Sequence, residues 1–82
     1  MPRVPNDLVG YVYEWLADDI AARIASGELP PRSALPNERR LAEEYRVSLG
    51  TARHAVEILR ERGLVTTIRS KGTFVVERET NR

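Results

Sequence analysis

Apolar positions recur along the chain with two different periods. Leu8, Val12, Trp15, Leu16, Ile20 and Ile24 are spaced by three and four residues, with Glu14, Asp18 and Arg23 largely off that stripe. This is the pattern of an amphipathic helix. Pro2 and Pro5 disfavour helix before residue 6, Asn6 or Asp7 offers a capping oxygen, and Gly27 suits the left-handed residue that ends a helix. The spacing therefore predicts a first helix over 7–26. Pro30, Pro31 and Pro36 exclude helix from the next stretch, although residues 33–35 can form a short extended piece that pairs elsewhere. Leu41, Ala42 and Tyr45 supply the apolar face of a short second helix near 37–45, with Glu38, Arg39, Arg40, Glu43 and Glu44 on its exposed side. After Arg46-Val47, Ser48 reads as the cap of a third helix whose buried positions are Ala52, Ala55, Val56 and Leu59 and which ends at Gly63. Beyond Gly63 the pattern turns to strand. Leu64–Ile68 and Thr73–Glu77 are β-rich runs separated by Arg69-Ser70-Lys71-Gly72, which together predict a hairpin.

Two helices joined by a turn of about three residues, the second capped by serine, form a helix-turn-helix. With the first helix before it and the hairpin after it, the expected fold is mainly α with a small β-hairpin (α+β). It is a winged helix-turn-helix, three helices plus a two- to three-stranded antiparallel wing, over residues 7–77. Residues 1–6 and 78–82 are expected to be flexible ends.

Composition adds limits. The 82 residues include no cysteine and one histidine, so packing alone has to hold the fold and no metal centre or other cofactor is expected. A single histidine, without a thiol or a paired carboxylate, also argues against an enzyme. No signal-peptide or membrane-spanning run is present, so a cytoplasmic protein with no membrane partner is expected. Net charge is only +1. Its distribution matters more: residues 1–28 carry two basic and five acidic side chains, whereas residues 29–82 carry eleven basic and seven acidic ones. Arginine, which can grip phosphate or a guanine edge with two hydrogen bonds, accounts for twelve of the thirteen basic residues.

The amino-terminal end of a recognition helix is what meets base edges in the major groove. In this chain that end is Ser48, Leu49, Gly50, Thr51 and Arg53, with His54 beside them. Arg53 falls opposite Val56 and Leu59 and should project outward to DNA; the plainer alternative is an ion pair with Glu57 at i+4. Ser48 and Thr51 suit phosphate oxygens, though Ser48 can be only a cap. At the hairpin tip, Arg69, Ser70, Lys71 and Gly72 combine charge with room for close approach. Tyr13 and Trp15 read as packing residues rather than a stacking platform for single strands.

The run Gly27-Glu-Leu-Pro-Pro, then Leu35-Pro-Asn-Glu-Arg-Arg-Leu-Ala42, Tyr45-Arg-Val-Ser48, Thr51-Ala-Arg53, Gly63-Leu-Val65 and Lys71-Gly-Thr-Phe-Val75 resembles the amino-terminal domain of GntR-family regulators. The resemblance implies duplex DNA binding by a transcription regulator, with repression the expected sense. The third helix, about 48–62, would lie in the major groove and the wing, about 69–72, near the minor groove. It also implies DNA contact by Arg39; Arg40, on the same helix, is a further candidate, and Glu38 reads as capping or orienting an arginine, since a carboxylate repels phosphate. The chain departs from the family's usual pattern at Leu49, where arginine is common, and at Gly50, often polar. It departs again at Arg32 and Arg46, where glycine is common. Without the first arginine, base readout should lean on Arg39, Arg53, Thr51 and the wing, with Leu49 able to pack on a thymine methyl. The expected partner is a palindromic operator, bound by a homodimer formed in solution or only on DNA. No small-molecule effector site is expected within these residues, which end just after the wing. The competing reading is a winged-helix module that binds protein and not specific DNA.

Overall fold

The computed structural model describes residues 12–77. The predicted start of the first helix, with Leu8 and its cap, and the two expected flexible ends lie outside those residues. The described elements are α1 (Val12–Ser26), α2 (Glu38–Tyr45), α3 (Leu49–Glu61), β1 (Val65–Ile68) and β2 (Gly72–Val75). No helix among the described residues is long and apolar enough to cross a membrane.

The core forms where the predicted stripes meet. Leu16, Ala17 and Ile20 of α1, Leu41, Ala42 and Tyr45 of α2, and Ala52, Ala55, Val56 and Leu59 of α3 are buried, together with Leu35 and Val65. α3 packs against α1, α2 and β1, so it is the central element. Its buried side combines the small Ala52 and Ala55 with the larger Val56 and Leu59. Tyr13, Trp15 and Ile24 are half-buried against this core. Trp15 meets Tyr45 edge-on with ring centroids 6.0 Å apart, in accord with a packing role.

Each helix boundary has a local cause. Asn37 accepts the Arg40 N–H at 2.8 Å and caps α2, and Ser48 accepts the Thr51 N–H at 3.0 Å and caps α3. α2 stops because Arg46 turns left-handed (φ 60°, ψ 45°), and the Val47 N–H then reaches back to the Ala42 carbonyl. α3 stops at Gly63 in the same way, at φ 78°, with the Leu64 N–H on the Leu59 carbonyl.

β1 and β2 pair antiparallel with Val65 opposite Val75 and Ile68 opposite Gly72. The predicted turn is one residue shorter than expected, because Gly72 already belongs to β2. Residues 33–35 join β2 on its other edge: Ala34 bridges Phe74, Leu35 N–H donates to the Thr73 carbonyl, and Val75 N–H donates to the Ser33 carbonyl. The wing is thus a two-stranded sheet carrying a third, bridge-length edge. Arg32 anchors that edge, giving its N–H to the Val75 carbonyl and its side chain to Glu77 at 2.7 Å.

Candidate nucleic-acid interface

Two shallow depressions run side by side across one face. Asn37, Glu38, Arg39, Leu49 and Arg53 line the first, of about 240 Å³. The second, of about 310 Å³, lies between the start of α2 and the wing and is lined by Leu35, Asn37, Glu38, Lys71, Gly72 and Thr73 among others. They share Asn37 and Glu38, so α2, the head of α3 and the wing tip make one continuous strip. Sequence reasoning gave Asn37 only a part in helix entry. Its place beside the Leu35-Pro36 bend is the one signal that could have put it on this face.

Within the strip Arg53 is held. Its Nε donates to Glu38 Oε1 at 3.3 Å, an exposed bond from the second turn of α3 to the first residue of α2. The expected alternative partner, Glu57, instead lies 3.9 Å from His54 Nδ1. The correction has a geometric cause: the turn brings residue 38 alongside residue 53, closer than the next turn of the same helix. Ser48 and Thr51 are also engaged with each other, since the Ser48 hydroxyl donates to Thr51 Oγ1 at 2.9 Å while it caps the helix.

Of the twelve predicted residues Arg39, Leu49, Arg53, Lys71 and Gly72 line these depressions, and Arg40 and His54 face other neighbours. Arg40 borders a different depression with Arg23, Glu43 and Glu44. The His54 ring packs edge-on against Tyr13, with centroids 4.1 Å apart, on the side facing α1. At the wing tip Arg69, Ser70 and Lys71 are exposed, and the Lys71 N–H closes the turn onto the Ile68 carbonyl at 2.9 Å. Ser70 takes φ 69° at the turn position that favours glycine or asparagine.

Arg23 pairs with Glu28 and Glu44, Arg32 with Glu77 and Arg62 with Asp18. Arg39, Arg40, Arg46, Arg60, Arg69 and Lys71 meet no carboxylate among the described residues. All six belong to the helix-turn-helix or the wing. On the α1 side Asp18 holds Arg62, and Asp19 accepts the Tyr45 hydroxyl at 2.8 Å. Tyr45 in turn accepts from Arg23 Nη1 at 2.8 Å. Burial pushes the Tyr45 hydroxyl up to about 12, against the lowering effect of Arg23 and with help from Asp19. Burial alone would lower Arg23, yet its bond to Tyr45 and the nearby Glu28 and Glu44 carboxylates leave it raised.

The model of the bacterial regulatory proteins of the gntR family matches residues 12–75. The chain belongs to the GntR family. Among curated proteins it is 41% identical over 70 residues to the mannosyl-D-glycerate transport/metabolism system repressor MngR of Escherichia coli, a match covering 85% of this chain and 29% of that protein. It is 36% identical over 64 residues to the transcriptional repressor NagR of Bacillus subtilis, covering 78% of this chain and 26% of that one. The chain thus spans under a third of these relatives. Among solved structures, a GntR-family transcriptional regulator aligns with TM-score 0.79 at 42% identity, over 87% of this chain and 28% of that one. The AraR DNA-binding domain in complex with operator ORR3 aligns with TM-score 0.75 at 31% identity, over 79% of this chain and 78% of that one. The fold is therefore the GntR winged helix-turn-helix, as the order of elements predicted.

Proposed function

We propose that this GntR domain binds duplex DNA in a sequence-specific manner and serves as the DNA-reading part of a transcriptional repressor acting in the cytoplasm. The observation that carries the reading is the strip on which Arg39, Leu49, Arg53, Lys71 and Gly72 converge, where Arg39 and Lys71 meet no carboxylate among the described residues and Arg53 meets Glu38 alone. A related domain of similar extent has been crystallised on its operator, and the repressors MngR and NagR support the regulatory sense. In this reading α3 enters the major groove, Arg53 and Arg39 meet base edges or phosphates, and Ser48 and Thr51 serve phosphates through the amino-terminal end of the helix. Arg69, Ser70, Lys71 and Gly72 approach the adjacent minor groove. Arg40 and His54 act at the margin, on flanking phosphates. A palindromic operator would take two copies, with half-sites about one helical turn apart. No catalytic step and no small-molecule site are assigned to these residues.

Selection of binding sites from random duplexes tests the proposal. Wild type should enrich one motif, and Arg53→Ala and Arg39→Ala should each weaken binding to it by about tenfold or more at moderate salt. The proposal fails if no motif emerges and neither substitution weakens duplex binding.

A further inference from the structure

Gly50 lies in the first turn of α3, where glycine costs about 1 kcal/mol relative to alanine, and the fold does not require it. A Cβ placed there meets only Ser48 Oγ, at 4.0 Å, and the backbone is outside the left-handed region. Gly27, Gly63 and Gly72, by contrast, all take positive φ. The bare position is therefore useful only to something that approaches the helix from outside.

Its neighbour Leu49 is 38% exposed, one of two large apolar side chains so exposed among the described residues. A lone surface leucine is ordinary. This one borders the depression shared with Arg39 and Arg53, and Arg53 lies one turn further along the same side of α3, tied to Glu38. An apolar protein surface does not match this head, because it would cover Arg39, which meets no carboxylate among the described residues, without giving it a partner. The head matches a polyanion that carries one apolar group on its readable edge. In the major groove of duplex DNA that group is the 5-methyl of thymine.

We propose that Leu49 reads a thymine methyl and that Gly50 lets the duplex come close enough for the contact. The proposal rests on the DNA-reading function above and names a base that the function by itself leaves open. Leu49 supplies the apolar surface, Arg53 supplies donors to a neighbouring base pair or phosphate, and the absent Gly50 side chain leaves open space beside Leu49 on the outer side of the helix.

The test starts from sites enriched by the wild-type chain and replaces each thymine singly with deoxyuridine, which removes only the methyl group. Wild type should lose affinity about fourfold at one thymine position, and Leu49→Ala should lose none there. Gly50→Ala should melt no lower than wild type, because it adds helix propensity in open space. It should nevertheless bind the enriched site about tenfold more weakly. If no site is enriched, DNA reading itself falls and this inference with it. If a site is enriched but every deoxyuridine is neutral, DNA reading stands and the inference is overturned. The same holds if Leu49→Ala keeps the wild-type pattern of losses or if Gly50→Ala binds like wild type.

Discussion

Arg46 holds φ 60° at the end of α2, a conformation that costs an L-residue about 1 kcal/mol or more. It and Arg32, at φ 70°, are the two arginines standing where the resembled family commonly has glycine. Both positions keep the left-handed geometry after the substitution, so the backbone, rather than the side chain, dictates the turn. Arg32 gains a partner in Glu77, whereas Arg46 gains none among the described residues. In urea unfolding, Arg46→Gly should leave stability unchanged or higher, and Arg46→Val should lower it by about 1–2 kcal/mol, because a β-branched residue fits the left-handed region worst. Tyr45 is the other decisive residue. It is 3% exposed, and its hydroxyl joins Asp19 of α1 to Arg23 while its ring meets Trp15. Since the folded hydroxyl is raised from its ordinary 10.0 to about 12, folding favours the protonated phenol. That contribution is complete below pH 10 and is lost as the pH rises toward 12. Tyr45→Phe should lose about 1–2 kcal/mol at neutral pH through its missing hydrogen bonds. Its unfolding free energy should then fall less steeply than that of wild type between pH 10 and 12.

At the scale of elements, α3 was readable because its start, stripe and end carry separate signals: Ser48, the Ala52 to Leu59 spacing, and Gly63. Ser48→Ala removes the bond to the Thr51 N–H and should destabilise the domain by about 1 kcal/mol, measured by denaturant unfolding without DNA. The wing was readable as a hairpin, since two β-rich runs flank a polar turn. The edge at residues 33–35 was legible only as an extended piece that pairs somewhere, because pairing across some forty residues leaves no local trace. What selects β2 as its partner is the bonding between Leu35 and Thr73 and between Val75 and Ser33. That Glu38 orients an arginine was legible, but that the arginine is Arg53 was hidden for the same reason. Periodicity predicts neighbours within one helix, and the turn between α2 and α3 overrides it.

Among the described residues the cations without carboxylate partners fall on α2, its following turn, α3 and the wing, while Asp18 and Asp19 of α1 are engaged by Arg62 and Tyr45. A polyanion bound to those elements releases counterions, so affinity for duplex DNA should fall steeply with salt. Lys71→Ala and Arg69→Ala should each reduce the slope of log K against log salt by about 1, with little change in sequence preference. Unchanged slopes for both would remove the wing from the interface. The sequence by itself determined the three helices, the hairpin, their order and the identity of most core residues, because these depend on local spacing, caps and turn formers. It also sorted acid from base along the chain, and its motifs pointed to the GntR family. Only the tertiary structure decided that Arg53 meets Glu38 and not Glu57, that Arg40 and His54 face neighbours away from the two shared depressions, and that Asn37 lines both. Those outcomes depend on the angle at which α2 and α3 cross and on where the wing folds back. Such distances are set by the packing of Leu41, Tyr45, Val56 and Leu59 into one core, which no local pattern specifies.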